Sequence, residues 1–325
     1  MGNESASAGE SAPTALPPAR ARRAAERRRK EAAQRRRPWL LAAVVAGALV
    51  IAGVWFSFAQ GGGNDAIGVQ AIANLDAPDV HSLIVDPQDP EHILFGSHSG
   101  IQESYDGGFT WEPGGLQDTD AMQMAASPKA PETVYVTGHD VFQVSRDGGE
   151  TWQPQAHDLP GTDIHGFAQD PADPQHLYAY VAGTGVFTSH DGGTTWTPLT
   201  TQPPGGGMHL ALASSGVALY AATEAGIVAS RDDGATWEPL PAQPEAPVIS
   251  LAVSASDPEI LYAGTHDGLA RSTDGGTTWT TVGPEDVPAV ALAVTPTEPD
   301  RVLFVSDEGA VYRSDDGGLT WRSPR

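Results

Sequence analysis

The chain contains no cysteine, which excludes a disulfide framework, a thiolate nucleophile and any cysteine-ligated metal centre. Positive charge is scarce once the first 37 residues are set aside. Ten of the 18 Lys and Arg residues lie there, leaving eight against 37 acidic side chains in the remainder, a surplus of 29 negative charges. Such a surface repels nucleic acid and favours basic or metal-bearing partners. Adaptation to salty surroundings accounts for the acidity equally well. No GxxxxGK[ST] loop, HExxH motif or Ser/His/Asp arrangement is present, so the local signatures of nucleotide, zinc-protease and serine-hydrolase chemistry are missing.

What is present begins with two contrasting N-terminal segments. Residues 1–37 hold ten basic side chains and four glutamates, about +6 in all, and lack an apolar stripe; they are expected to be a disordered, basic cytoplasmic segment held at an anionic leaflet. Residues 38–60, PWLLAAVVAGALVIAGVWFSFAQ, carry no ionisable side chain from Trp39 to Ala59. As a helix this stretch spans a hydrocarbon layer of about 30 Å, with Trp39 and Trp55 near its interfaces. The arginines before it predict a single-pass signal-anchor of a bacterial-type plasma membrane, N-terminus inside and all later residues outside. The alternative is secretion after cleavage near Ser57-Phe58-Ala59. A short linker, 61–67, then leads to an extracytoplasmic domain over 68–325.

That domain is repetitive. SYDGGFTW at 104–111 returns as SRDGGETW (145–152), SHDGGTTW (189–196), SRDDGATW (230–237), STDGGTTW (272–279) and SDDGGLTW (314–321), with leading serines 41, 44, 41, 42 and 42 residues apart. A period of this length signals stacked supersecondary units. Within the fifth unit, Val248–Val253, Ile260–Thr265, Leu269–Ser272 and Thr277–Val282 read as four short strands. Phe95, Tyr135, Tyr178, Tyr220, Tyr262 and Phe304 recur mid-strand, as core rather than ligand platform. Four strands cannot bury both faces alone, so the units must pack against one another, and radial closure removes the edges of a 24-strand sheet. The expected fold is all-β: a six-bladed β-propeller with four-stranded antiparallel blades, preceded by one transmembrane helix. Residues 68–75 and Thr320–Pro324 both fit the outer strand of the last blade.

The six SxDxGxTW stretches resemble the Asp-box, or bacterial neuraminidase repeat (BNR), of sialidase-like and glycosyl hydrolase-like propellers, without a mismatch at the five marked positions. This resemblance implies a propeller and leaves activity open, because the repeats occur in hydrolases and non-enzymes alike. Each box has the residues of a fastener. The structural pairs are Asp106 with Trp111, Asp147 with Trp152, Asp191 with Trp196, Asp232 with Trp237, Asp274 with Trp279, and Asp316 with Trp321: a carboxylate accepting turn N–H groups and an indole covering the junction. Calcium in the boxes is the rival reading, and a short turn with one to three carboxylates offers it few ligands. The repeated Asp-Pro pairs, such as Asp86-Pro87 and Asp173-Pro174, read as turn caps.

A ligand is therefore expected on the face opposite the boxes, where inner strands begin and second strands turn. His81, Met122, His165 and Met208, with His209 beside it, fall at strand entries, and His98, His139 and His266 at second-strand turns. The set His81, His165, His209, Met122 and Met208 suggests copper or another divalent metal. True sialidases need a three-arginine pocket, which the seven arginines beyond residue 60 do not form: Arg146, Arg231 and Arg313 lie in or beside the boxes, Arg271 on an outer strand and Arg325 at the terminus, and neither Arg301 nor Arg322 falls at an inner-strand entry. Glycoside hydrolysis by two carboxylates would draw on Asp118, Asp120, Asp158, Asp163, Glu245, Glu285 and Asp286. The leading expectation is a non-enzymatic, membrane-anchored binding or assembly module, its partner a basic protein, a metal or a carbohydrate, and not nucleic acid. The alternatives are an Asp-box glycoside hydrolase and a copper-binding protein.

Overall fold

The computed structural model describes residues 69–77, 79–205 and 211–325. Among them no helix is long and apolar enough to cross a membrane, and the proposed anchor at 38–60 lies outside them. Six separate four-stranded antiparallel sheets account for the architecture. Blade 1 is formed by Ser82–Val85, Ile93–Ser97, Gly100–Ser104 and Glu112–Gln117. The inner strands of blades 2 to 6 are Gln123–Ser127, Ile164–Gln169, Ala211–Ser214, Val248–Val253 and Ala291–Thr295. Each inner strand touches the next in cyclic order, and blade 6 touches blade 1, so the ring closes.

Closure uses the segment before blade 1. Ala73–Asn74 pairs with Ala310–Ser314 and becomes the outer strand of blade 6, with Ile72 N–H donating to Val311 O and Leu75 N–H to Gly309 O, both at 2.8 Å. The competing C-terminal segment forms no strand; Arg322 N–H alone bonds back, to Arg313 O at 2.8 Å. The first and last parts of the ring are thus laced into one sheet. Ile72 and Leu75 are buried between blades 6 and 1 with Phe95, Leu303 and Val311. The recurrent aromatics Phe95, Tyr135, Tyr178, Tyr220, Tyr262 and Phe304 are all buried. Side chains of adjacent blades interdigitate in successive clusters, such as Tyr135, Phe142, Phe167 and Trp196 between blades 2 and 3. Gly96 sits where a neighbouring blade presses in: a Cβ there would lie 2.3 Å from Ala121 O, a contact only glycine tolerates.

Outside blade 1 the outer strands are shorter than the pattern predicts. In blade 5 the fourth strand begins at Thr280, because Trp279 still belongs to the box turn. In blades 2, 3 and 4 it has two residues, ending on Pro154, Pro198 and Pro239. Proline cannot donate to a ladder and belongs on edges, where it also discourages further pairing. In blades 3 and 4 a glutamine continues the ladder instead. The Gln202 amide accepts Val186 N–H at 2.6 Å and donates to Val186 O at 3.1 Å, and Gln243 does the same for Ile227 at 2.7 and 3.0 Å.

Candidate functional site

In every box the serine hydroxyl donates to the aspartate Oδ1 and accepts an N–H from the second glycine position. The threonine N–H reaches the same Oδ1, and the threonine hydroxyl reaches Oδ2. At Asp191 these hydrogen bonds favour the ionised form: Thr195 and Ser189 pull its carboxyl down to about 2. Both carboxylate oxygens are engaged within the turn, which is fastener geometry. Gly107 and Gly108 have φ of 78° and 95°, and in blade 4 Asp233 takes the first of these places at φ 55°, a conformation that aspartate tolerates. The indoles of Trp111, Trp152, Trp196 and Trp321 donate to the box's own glycine carbonyl. Those of Trp237 and Trp279 donate across to Thr201 O and Ala242 O of the preceding blade.

The opposite ends of the same hairpins carry a different chemistry. Asp79 and His81 stand at the entry of blade 1, Asp120 and Met122 at that of blade 2, and Asp163 and His165 at that of blade 3. His98 and His139 occupy the second-strand turns of blades 1 and 2. In both of these blades the entry aspartate accepts the turn histidine's backbone N–H at 2.8 Å and its ring Nδ1–H, at 2.5 Å for Asp79 with His98 and 2.6 Å for Asp120 with His139. Each turn histidine also faces the next blade. His98 Nε2 lies 3.8 Å from Asp120 Oδ1, and His139 Nε2 lies 3.4 Å from Asp163 Oδ1, which is in turn 2.7 Å from His165 Nε2. His81 Nε2 completes the other end, 3.1 Å from His98 Nδ1 and 3.4 Å from Asp79 Oδ1. Four imidazoles and three carboxylates thus alternate across three blades.

Burial and the adjacent His98 hold the His81 pKa below the ordinary imidazole value, which favours a neutral ring. At Asp79 burial acts in the opposite sense, but the hydrogen bonds from His98 and the proximity of His81 outweigh it, and the carboxyl lies below its usual range. Asp120 Oδ1 is buried without a hydrogen-bond partner.

Of the metal set expected from sequence, His81 and His165 anchor the two ends of this ladder, and Met122 is buried two residues beyond Asp120. Met208 and His209 lie outside the described residues. His98 and His139 join the ends, and Asp79 was absent from the sequence reading. The signal that would have found it is the repeated Asp-x-His/Met at the first three entries: Asp79-Val80-His81, Asp120-Ala121-Met122 and Asp163-Ile164-His165. His266 stands exposed in blade 5, away from this array. Among the carboxylates considered for hydrolysis, Asp120 and Asp163 are committed to histidines, and Asp158 accepts Trp196 N–H at 2.7 Å.

Basic side chains are segregated. Lys129, Arg146, Arg231, Arg271, Arg301, Arg313, Arg322 and Arg325 all lie at the box end of their strands or in the connections on that side. Several are paired there: Arg301 and Arg313 with Glu91 and Asp315, Arg322 with Asp315, and Arg271 with Asp300. The face opposite the boxes carries no Lys or Arg among the described residues, and it presents Glu224, Asp267, Glu285, Asp286, Asp307 and Glu308 at its exposed turns.

Two family models match the sequence. Residues 210–324 match the family described as photosynthesis system II assembly factor YCF48, and residues 143–154 and 187–198 match the BNR/Asp-box repeat. No curated protein is similar to the chain by sequence. Among solved structures, the chain resembles the GH74 xyloglucanase of Xanthomonas campestris at 19% identity and a TM-score of 0.52, over 75% of this chain but only 46% of the enzyme. It resembles YCF48 from Cyanidioschyzon merolae at 18% identity and a TM-score of 0.51, over 78% of this chain and 87% of that one. YCF48 bound to D1 peptide is similar at 18% identity, with the same coverage and a TM-score of 0.50. Six complete boxes fastening six four-stranded sheets make the chain an Asp-box (BNR) repeat β-propeller.

Proposed function

We propose that this propeller is a membrane-anchored, extracytoplasmic protein-binding module, serving an assembly step by presenting the face opposite its Asp-boxes to a basic segment of a partner. The observation that carries this reading is the charge polarity. All eight basic residues beyond the N-terminal segment lie at the box end, whereas the ionisable side chains of the opposite face are carboxylates and histidines among the described residues. Such a face attracts cationic groups from a distance and selects against acidic ones. The family match at residues 210–324 supports an assembly role, and a related fold has been solved with a peptide bound. Glycoside hydrolysis draws less support, since the chain spans less than half of the xyloglucanase it resembles and its best-placed carboxylates already hold histidines or a backbone N–H.

The test is co-purification of the tagged full-length chain from its own membrane. Reversing the exposed Asp267, Glu285 and Glu308 to lysine should release the bound partner, while Glu132→Lys with Glu238→Lys at the box end should not. Retention by the first variant and release by the second would overturn the assignment.

A further inference from the structure

The histidine–aspartate ladder has a second property, independent of any protein partner. Its side chains form three overlapping triads whose ligand atoms lie within 4.8 Å of one another: Asp79, His81 and His98; His98, Asp120 and His139; His139, Asp163 and His165. The two outer triads share no residue. We propose that the ladder binds two divalent cations of the borderline class, represented by zinc, one at the Asp79–His81–His98 end and one at the His139–Asp163–His165 end.

Three observations carry this assignment. Donor separations suit the ion. With metal–nitrogen bonds of about 2.0–2.1 Å, the edge of a tetrahedral site is about 3.3 Å, and His81 Nε2 lies 3.1 Å from His98 Nδ1 and 3.4 Å from Asp79 Oδ1. At the other end Asp163 Oδ1 lies 2.7 and 3.4 Å from the His165 and His139 Nε2 atoms. The second observation is how each turn histidine uses its two nitrogens. His98 presents its ring edge to His81, with Nδ1 3.1 Å and Nε2 3.2 Å from His81 Nε2, and Nε2 also lies 3.8 Å from Asp120 Oδ1. His139 offers Nε2 to the opposite end and gives Nδ1–H to Asp120 Oδ2 at 2.6 Å. Asp120 is therefore a positioning carboxylate shared by both ends, the role that an outer-shell acid plays behind a metal-bound imidazole. Third, Asp120 Oδ1 is buried with no hydrogen-bond partner, a state that costs free energy. With His98 in the tautomer that carries its one proton on Nε2, which leaves Nδ1 free to bind a cation, a small swing of Nε2–H towards Asp120 would satisfy that oxygen.

The inner ligands are fixed and the outer ones accessible. The His81 and His165 side chains are 20% and 6% exposed, against 45% and 50% for His98 and His139, so an ion enters past the turn histidines. Imidazole and carboxylate donors without a thiolate suit divalent zinc, nickel or cobalt, whereas thioether-rich sites select cuprous ion.

Titration calorimetry of the full-length chain with zinc chloride, after chelator treatment, tests the assignment. The wild type should take up two ions, and His98→Ala and His139→Ala, each retaining one outer triad, should take up one. The double variant should bind more than about tenfold more weakly, a change of about 1.4 kcal/mol, and His266→Ala should still take up two ions. Asp120→Asn should keep both ions at about 10–100-fold lower affinity. Tryptophan fluorescence matching the wild type establishes that each variant is folded. No saturable uptake by the wild type, uptake by the double variant equal to wild type, or complete loss in either single variant would overturn the proposal.

Discussion

Removing one arginine tests how the ring is locked. Arg313, in the third strand of blade 6, is 5% exposed. It donates Nε–H to Asp315 Oδ1 at 2.9 Å, Nη2–H to Glu91 Oε1 at 3.3 Å, and Nη1–H to Gly107 O at 3.1 Å inside the box of blade 1. Burial opposes its charge, but Asp315 and Glu91 more than compensate, and its pKa lies above that of an ordinary arginine. Arg313→Ala removes two charge-assisted contacts and leaves the Gly107 carbonyl without this donor. Each charged hydrogen bond is worth about 1.5–3 kcal/mol, but Glu91 is about a third exposed and Arg301 also reaches Glu91 and Asp315, so neither acid is abandoned. The expected loss is about 3 kcal/mol, or about 6–12 °C in Tm for a domain of this size. Arg313→Lys keeps the charge without the fork and should lose about half as much. Urea unfolding of the full-length chain, followed by tryptophan fluorescence, reads the effect, and a cycle with Glu91→Gln should show coupling near 1 kcal/mol. A midpoint for Arg313→Ala indistinguishable from wild type would refute the idea that this side chain joins the first and last blades.

Further outcomes follow from the same contacts. Ser145→Ala should cost about 1–3 kcal/mol in chemical denaturation, because the Gly149 N–H loses its 2.8 Å acceptor in a buried turn. Ile72→Ala should cost about 2–5 kcal/mol and, by loosening the strand that closes blade 6, should speed hydrogen exchange at the backbone N–H of position 72 and of Leu75, which donate to Val311 O and Gly309 O. Asp191→Asn should show a pH-dependent penalty. The folded carboxyl titrates at about 2 and an unfolded one at about 3.9, so the stabilisation is complete above the unfolded value and is lost as pH falls through the folded one. The wild-type advantage in urea midpoint should hold from pH 7 to about 5 and shrink between about 4 and 2; a constant difference across that window would be inconsistent with the assigned hydrogen bonds.

The repeat made most of the fold legible. Serine, aspartate, glycine, threonine and tryptophan at fixed spacing name a turn with enough local hydrogen bonding to hold its shape in any blade, and the mid-strand aromatics mark the inter-blade core. Which terminal segment closes blade 6 was harder to read, because residues 68–75 and 320–324 both have strand character. Position in the ring decides it, since Ile72 and Leu75 have an apolar cleft to enter and the C-terminal segment ends in Arg322 and Arg325. The outer strand of blade 5 was overestimated because Trp279 stays in the box turn, and the ladder-extending glutamines of blades 3 and 4 carry no local signature. At the site, the entry histidines His81 and His165 and the turn histidines His98 and His139 could be placed on one face from topology, but not next to one another. Contact between a turn of one blade and an entry of the next depends on the rotation between blades, which no local pattern encodes. Asp79 was overlooked because a single acid is uninformative in so acidic a chain; only its recurrence as Asp120 and Asp163 marks it.

The central claim is a division of labour: the boxes fasten and the acidic, histidine-bearing face recognises. Cross-linking of the full-length protein in its native cells, with the sites of partner attachment mapped by mass spectrometry, tests it most directly. Attachment at the turns around His98, His139, His266, Asp286 and Glu308 is the predicted result. Attachment concentrated at the box turns around Arg146, His190 and Arg231, with those five positions unmodified, would contradict it.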